Sequence, residues 1–158
     1  MVSGVRKERE HAMTFDAAMM MLVLLIGAHC FFDYAGQGDF MSNAKNQEKP
    51  IPGVPAATVM WSHAAIQGAA VAYITGIWLL FFFEAVCHYL IDRSKCAGKM
   101  SFNQDQALHI LCKLIWWGMA IAGAFPGMQT KAAPGADRSM PTAQCAPAFG
   151  SVIGRTYE

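Results

Sequence analysis

Charged residues are scarce in this chain. They make up 15% of its 158 residues, whereas hydrophobic residues make up 54%. Soluble globular domains have roughly 25% charged residues. The formal net charge is only +1, so the protein has no excess of positive charge that would attract nucleic acid, and no helix-turn-helix or zinc-finger pattern is present. The composition therefore argues against nucleic-acid binding and favours lipid as the surrounding solvent.

The chain also lacks a disulfide framework and a signal-peptide cleavage site. Its five cysteines are an odd number without a CxxC motif, and Cys87 and Cys112 fall within apolar segments, so buried free thiols are expected. Basic residues precede the first apolar run, as in a secretory signal. That run ends at His29 and Cys30 instead of at small residues, so we expect a retained first helix.

The main feature that the sequence does contain is a set of long apolar runs. The first, about residues 13–34, is long enough to cross a hydrocarbon core of about 30 Å. Apolar character resumes after a polar, proline-rich loop (35–55) and continues to Ile91, which is too long for one crossing. A break at Thr75-Gly76 would give two helices, 57–74 and 77–93. A fourth helix, capped by Asn103, would run to about residue 123.

These segments predict an all-α protein, an integral membrane bundle of four short transmembrane helices within residues 1–124. Residues 125–158, rich in proline, glycine and alanine, are expected to form a disordered tail. The expected location is the cell (inner) membrane with several crossings, and the lysine and arginine distribution leans slightly towards cytoplasmic termini. The lipid bilayer is the expected partner, and the pattern is compatible with a homo-oligomer.

Every predicted helix carries polar residues spaced by four, which places them on one helix face. In an up-down-up-down bundle they would meet at one end, and the set comprises His29, Asp33, Gln37, His63, Gln67, Glu84, His88, Asp92, Asp105, His109 and Lys113. Whether these residues meet depends on the hairpin near Thr75. Were residues 57–93 one continuous helix, His63 and His88 would lie about 38 Å apart.

Imidazole and carboxylate groups are the ligands that divalent metals take in helical bundles. We therefore predict a divalent metal site, its metal identity undefined, with ligands drawn from His29, Asp33, His63, His88, Asp92, Asp105 and His109. Glu84, about one helical turn deeper than His88, is the candidate general base. The four carboxylates would balance two divalent ions, or one ion together with protonation and Lys113.

A simpler interpretation stands beside the metal site. One His-x-x-x-Asp pair on a helix is more often a hydrogen-bonded packing feature than a ligand pair, and only the convergence of four sets makes metal binding competitive. Lys45 could reach the mouth of the site, although a solvated loop lysine is the simpler interpretation. Lys95 and Lys99 are most simply solvated loop charges, and His11 a solvated terminal residue. Gln37 and Gln67 would be members of a polar network.

Four motifs carry a family resemblance: HCFFDYAGQ (29–37) followed by Lys45, WSHAAIQG (61–68), FEAVCHYLIDRSK (83–95) and NQDQALHIL (103–111). Over about residues 20–120 the chain resembles the domain-of-unknown-function 3307 family, small multi-pass membrane proteins of bacteria and their phages. The resemblance implies a membrane location and a helical fold, includes Gln106 among the motif residues, and supplies no activity. Two features depart from the pattern: a very short connection near Thr75, and Lys113, which would oppose a bound cation unless a carboxylate pairs with it.

Three functions remain open from the sequence. The first is a metal-dependent hydrolase of a lipid or another membrane-linked substrate. The second is a small transporter or proton-coupled carrier, for which ionisable residues would have to continue to the opposite face. The third is a non-catalytic phage or bacterial envelope protein in which the polar residues only hold helices together. The sequence does not decide whether the chain is an enzyme.

Overall fold

A computed structural model of the chain describes residues 13–126. This part contains five α-helices and no strand, which confirms the all-α prediction. The helices are α1 (Phe15–Cys30), α2 (Gly38–Ala44), α3 (Ala56–Thr75), α4 (Leu80–Cys96) and α5 (Phe102–Ile121), and a π-helical turn (Phe31–Ala35) extends α1. The predictions for His11 and for the tail beyond residue 126 fall outside the described residues.

The ends of the long helices follow local capping chemistry. Thr14 caps α1 by accepting a hydrogen bond from the amide of Ala17 at 3.3 Å. Ser101, and not Asn103, caps α5: its hydroxyl accepts from the Gln104 amide, and the Gln104 side chain accepts from the Ser101 amide. This Ser-x-x-Gln capping box satisfies two amides at once, so the prediction for Asn103 was wrong by two residues.

Helix α2 was not predicted. It lies within the segment predicted to be a loop (35–55), where Gly38, with φ of 64°, lets the chain turn sharply and begin a new helix. The new helix ends at Ala44, which is fully buried, and α2 packs against α3. This placement puts Lys45 at the edge of the polar side chains of the bundle.

The predicted break between the second and third apolar helices is confirmed. Gly76 ends α3 in the left-handed conformation, with φ of 70°, and α3 and α4 then pack against each other more extensively than any other pair of helices. Gly68 permits this close approach, because a Cβ added there would lie 2.6 Å from the backbone oxygen of Phe81. The hairpin therefore brings His63 and His88 together.

The bundle has an apolar end and a polar end. Near the hairpin its core consists of Leu25, Val71, Ile77, Leu80, Trp116 and Ala120. The other half of the interior holds polar side chains, whereas large apolar side chains from α1, α3, α4 and α5 are exposed on the outside. Among residues 13–126, one helical segment, Phe15–Ala35, is long and apolar enough to cross a membrane, a property that it shares with signal sequences and with buried helices of soluble proteins. The structure thus establishes the helical bundle, and membrane crossing by four helices stays a prediction.

Candidate metal centre

The polar cluster is the set of buried ionisable and amide side chains at one end of the bundle, namely His29, Asp33, Lys45, His63, Gln67, Glu84, His88, Asp92, Asp105, His109 and Lys113. It draws on all four long helices and on the residue after α2. All seven side chains predicted as metal ligands belong to it. The convergence expected from the spacing is thus present in the fold.

The centre of the cluster is a contact between two imidazoles. Nε2 of His63 lies 3.1 Å from Nε2 of His88. Asp33 Oδ1 lies 3.1 Å from the first of these nitrogens and 3.4 Å from the second. Three electron-pair donors from three different helical segments therefore face one point.

Asp92 completes this arrangement from α4. Its Oδ2 lies 3.7 Å from His63 Nε2 and 3.8 Å from His88 Nε2. We call Asp33, His63, His88 and Asp92 the ligand quartet. Two ligands of a tetrahedral zinc ion, each at about 2.0–2.1 Å, are about 3.3 Å apart, and an octahedral site gives somewhat shorter separations. The separations of 3.1–3.8 Å fit a small divalent ion after slight contraction.

Residues around the quartet hold its members in place. Gln67 donates a hydrogen bond to Asp33 Oδ1 at 2.7 Å. On the far side of His88, Oε1 of Glu84 lies 3.4 Å from Nδ1. A carboxylate behind a ligating histidine fixes the ring orientation and the tautomer. Glu84 reaches the outer nitrogen of His88 and not the space among the quartet atoms, so the geometry suits a positioning residue better than the predicted general base.

Three lysines pair with three of the four carboxylates in the cluster. Lys45 contacts Asp92 Oδ2 at 2.5 Å, Lys95 contacts Asp105 Oδ2 at 2.9 Å, and Lys113 contacts Glu84. The interpretation of Lys45 and Lys95 as solvated loop charges was therefore wrong. Asp33 alone among these four has no lysine partner within the described residues. With neutral imidazoles, the cluster and Lys95 together carry one net negative charge, which a divalent cation would neutralise.

A second group of potential ligands adjoins the quartet. His109 Nε2 lies 3.4 Å from Asp92 Oδ1 and 3.6 Å from Asp105 Oδ1. His29 is oriented differently: its Nδ1 lies 3.6 Å from Asp33 Oδ2, and its Nε2 is 3.2 Å from the Gln106 side-chain oxygen. The predicted ligands thus form overlapping groups of three, which are His29–Asp33–His88, His63–His88–Asp92 and Asp92–Asp105–His109.

The cluster opens into a polar cavity of about 340 Å³. Three of its carboxylates, Asp33, Asp92 and Asp105, line the cavity together with Lys45 and Lys95. The cavity also has Tyr34, Gln37, Gly38, Asp39, Ser42, Phe102 and Gln106 in its walls. A small polar ligand can therefore reach the carboxylates from outside the bundle.

A protein-family model described as a protein of unknown function (DUF3307) matches residues 21–130. The chain belongs to the DUF3307 family. This confirms the resemblance found in the sequence motifs. No curated protein and no solved structure gives a significant match to the chain. Every member of the polar cluster lies within the matched range of this DUF3307 chain.

Two contacts of the DUF3307 site were missed from the sequence. Trp116 donates through Nε1 to Glu84 Oε2 at 2.6 Å, whereas the sequence indicated only that this tryptophan belongs to an apolar helix. Gln37 lies beyond α1, yet its amide oxygen accepts from Lys45 Nζ at 2.5 Å when its nitrogen donates to the Asp33 backbone oxygen at 3.2 Å. Lys113 and Trp116 lie three residues apart on one face of α5, and that spacing was the available signal for a shared partner.

Proposed function

We propose that this DUF3307 protein is a membrane-embedded, metal-dependent hydrolase that acts on a lipid or another membrane-linked substrate. The observation that carries the proposal is the ligand quartet, in which the two imidazole Nε2 atoms lie 3.1 Å apart and each lies 3.1–3.8 Å from one oxygen of Asp33 and one oxygen of Asp92. Hydrogen bonding accounts for some of these contacts. No hydrogen bond joins Asp92 Oδ2 to the two imidazoles, which lie 3.7–3.8 Å away. This oxygen accepts instead from Lys45 at 2.5 Å, a contact that a bound ion would have to weaken.

The quartet would hold the ion, and the cavity would admit water and the scissile group. A divalent ion in such a site lowers the pKa of water and polarises the group under attack. Gln67 orients Asp33 through a hydrogen bond, and Glu84 lies behind His88, where its charge would favour the tautomer with the proton on Nδ1. Lys45 and Lys95 line the entrance beside Asp92 and Asp105, where their ammonium groups can contact an acidic part of the substrate.

The distribution of side chains supports a membrane location. Buried His, Asp, Glu and Lys residues occupy the interior, while exposed side chains include Val23, Phe82, Val86, Leu111 and Ile115. Soluble domains show the opposite arrangement, whereas an intramembrane bundle turns its ionisable groups inward. We infer that α1, α3, α4 and α5 cross the bilayer.

A carrier is the second candidate function, and one observation disfavours it. A proton or ion pathway needs polar groups that continue across the bundle. In the described chain the polar cluster ends at Glu84 and Lys113, and the apolar core around Leu25, Val71 and Leu80 follows. The cavity argues against a purely structural role for the cluster, because polar side chains that only hold helices together need no access from outside the bundle.

The metal site is tested by elemental analysis of full-length protein purified in detergent. We expect stoichiometric divalent metal in the wild type and its loss in Asp33→Asn, which keeps the side-chain shape but removes the charge. Glu48→Gln is the matched control, because this exposed carboxylate lies outside the cluster. Absence of metal from wild-type protein, together with no binding of added Zn²⁺ or Mn²⁺, would refute the proposal.

Hydrolysis is tested with the same proteins in mixed micelles. A panel of phospholipids and polyprenyl-linked phosphates is incubated with metal-loaded, chelator-treated and metal-restored enzyme. We expect turnover that disappears with chelation, returns with metal, and is absent in Asp33→Asn but present in Glu48→Gln. Metal-loaded protein without turnover on any of these ester classes would contradict the hydrolase assignment.

A further inference from the structure

His109 is a buried histidine whose two ring nitrogens have no hydrogen-bond partner among residues 13–126. It is fully buried, and its ring stacks on that of His88 with centroids 4.1 Å apart. An imidazole removed from water without a partner is unfavourable, because burial of an unsatisfied polar group costs roughly 1–3 kcal/mol. The quartet leaves this group unexplained.

The Nε2 atom of His109 faces two carboxylate oxygens. Asp92 Oδ1 lies at 3.4 Å and Asp105 Oδ1 at 3.6 Å. Asp105 Oδ1 is itself buried and has no hydrogen-bond partner in the described part of the chain. The Oδ2 atom of Asp105 accepts from Lys95 and Gln106. The spacing of these three atoms, Nε2 of His109 and one oxygen each from Asp92 and Asp105, is therefore the spacing expected for ligands of one ion.

Asp92 joins this group to the quartet. Its Oδ2 faces His63 and His88, and its Oδ1 faces His109. A carboxylate that presents one oxygen to each of two adjacent groups can bridge two ions, as in di-metal helical bundles. We propose that the site binds a second divalent ion, held by His109, Asp105 and Asp92, with Asp92 shared between the two ions.

This inference rests on the proposed function, since the first ion occupies the quartet, and it narrows the substrate class. With neutral imidazoles, the cluster and Lys95 together carry one net negative charge, so two divalent ions leave a surplus of three positive charges. A hydroxide and a dianionic phosphoryl group would neutralise that surplus. Pairs of metal ions commonly serve phosphoryl-ester hydrolysis, and Lys45 and Lys95 line the cavity beside them.

The test is the stoichiometry of Mn²⁺ in the full-length protein, measured by titration calorimetry and by electron paramagnetic resonance. We expect two ions per chain and an exchange-coupled signal in the wild type. Asp105→Asn should bind one ion and give an uncoupled signal, whereas Glu48→Gln should behave as wild type. Circular dichroism establishes that the variant remains helical, and the wild-type coupled signal tests the pair without any substitution.

The outcomes separate this inference from the proposed function. Wild type that contains no metal and binds neither Mn²⁺ nor Zn²⁺ overturns both. One uncoupled ion in the wild type, retained in Asp105→Asn, overturns the second site and leaves the quartet intact. Two ions retained in Asp105→Asn overturn the assignment of Asp105. If the wild type binds one ion and Asp105→Asn binds none, the metal lies at the His109 group, and the two-ion arrangement is wrong.

Discussion

Lys113 pairs with Glu84 in the interior of the bundle, and each side chain is only 1% exposed. Trp116 donates to the second oxygen of the same carboxylate, so both Glu84 oxygens are engaged. This explains how a lysine can lie near a predicted cation site. Its charge is neutralised by Glu84, which in turn contacts the outer nitrogen of His88.

The first prediction concerns this pair. Lys113→Met should lower the free energy of unfolding by about 3–5 kcal/mol, because it leaves a buried carboxylate without its cation. The double variant Lys113→Met, Glu84→Gln should be considerably more stable than the single variant, since no unpaired charge remains. Thermal unfolding in detergent measures the differences.

Lys49→Met is the control for a lost lysine, because Lys49 is exposed on the loop before α3. It should leave the melting temperature unchanged. A Lys113→Met protein as stable as this control would contradict the buried pair.

The second prediction concerns the contact between α3 and α4. Gly68→Ala places a Cβ 2.6 Å from the Phe81 backbone oxygen, so the helices must separate. We expect destabilisation of about 1–3 kcal/mol, the usual effect of overpacking, and weaker metal binding, because His63 and His88 lie on these two helices.

Gly118→Ala is the matched control in α5, where an added Cβ meets nothing within 4 Å. It should be neutral or stabilising by up to about 1 kcal/mol, because alanine favours the helix. Equal effects of the two substitutions on unfolding would argue against the close approach at Gly68.

The long helices and their convergence could be predicted from the sequence because both depend on local patterns. Apolar runs gave the helix bounds within a few residues, and Gly76 marked the hairpin. Spacing by four placed His88 and Asp92 on one face, and the hairpin turned that face towards His63. No further contact between residues distant in sequence had to be known in order to predict the bundle.

The partners of the lysines could not be predicted in this way. Lys45 reaches Asp92 only because α2 turns the chain back over the cluster, and α2 depends on the positive φ of Gly38. Lys95 reaches Asp105 across the connection between α4 and α5. Such pairings depend on the placement of helices in three dimensions, which residue spacing along one helix does not contain.

The third prediction concerns anion binding in the cavity. When the Asp92 oxygens hold metal, the ammonium group of Lys45 loses much of its present partner and can contact an anion. Inorganic phosphate should therefore bind the metal-loaded protein, and Lys45→Met should weaken it by about 10- to 100-fold, the effect of losing one charge-assisted hydrogen bond. Titration calorimetry measures the affinity.

The comparison protein is again Lys49→Met, which should bind phosphate as the wild type does. Metal-free protein should bind it much more weakly, since the net charge of the cluster is then negative. Equal phosphate affinity with and without metal would show that the cavity does not respond to the ions.

The last prediction tests whether the outer surface of the bundle faces lipid. Ile115 is 45% exposed near the middle of α5. An aspartate at the centre of a membrane helix costs roughly 2.5–3.5 kcal/mol of insertion free energy, so Ile115→Asp should reduce the fraction of protein that resists alkaline extraction from membranes. Asn103→Asp, an exposed change in the first turn of α5, should leave that fraction unchanged because aspartate is favourable near a helix N-terminus. If Ile115→Asp instead matches Asn103→Asp in extraction and yield, this face of α5 lies in water, and the four-crossing arrangement is wrong.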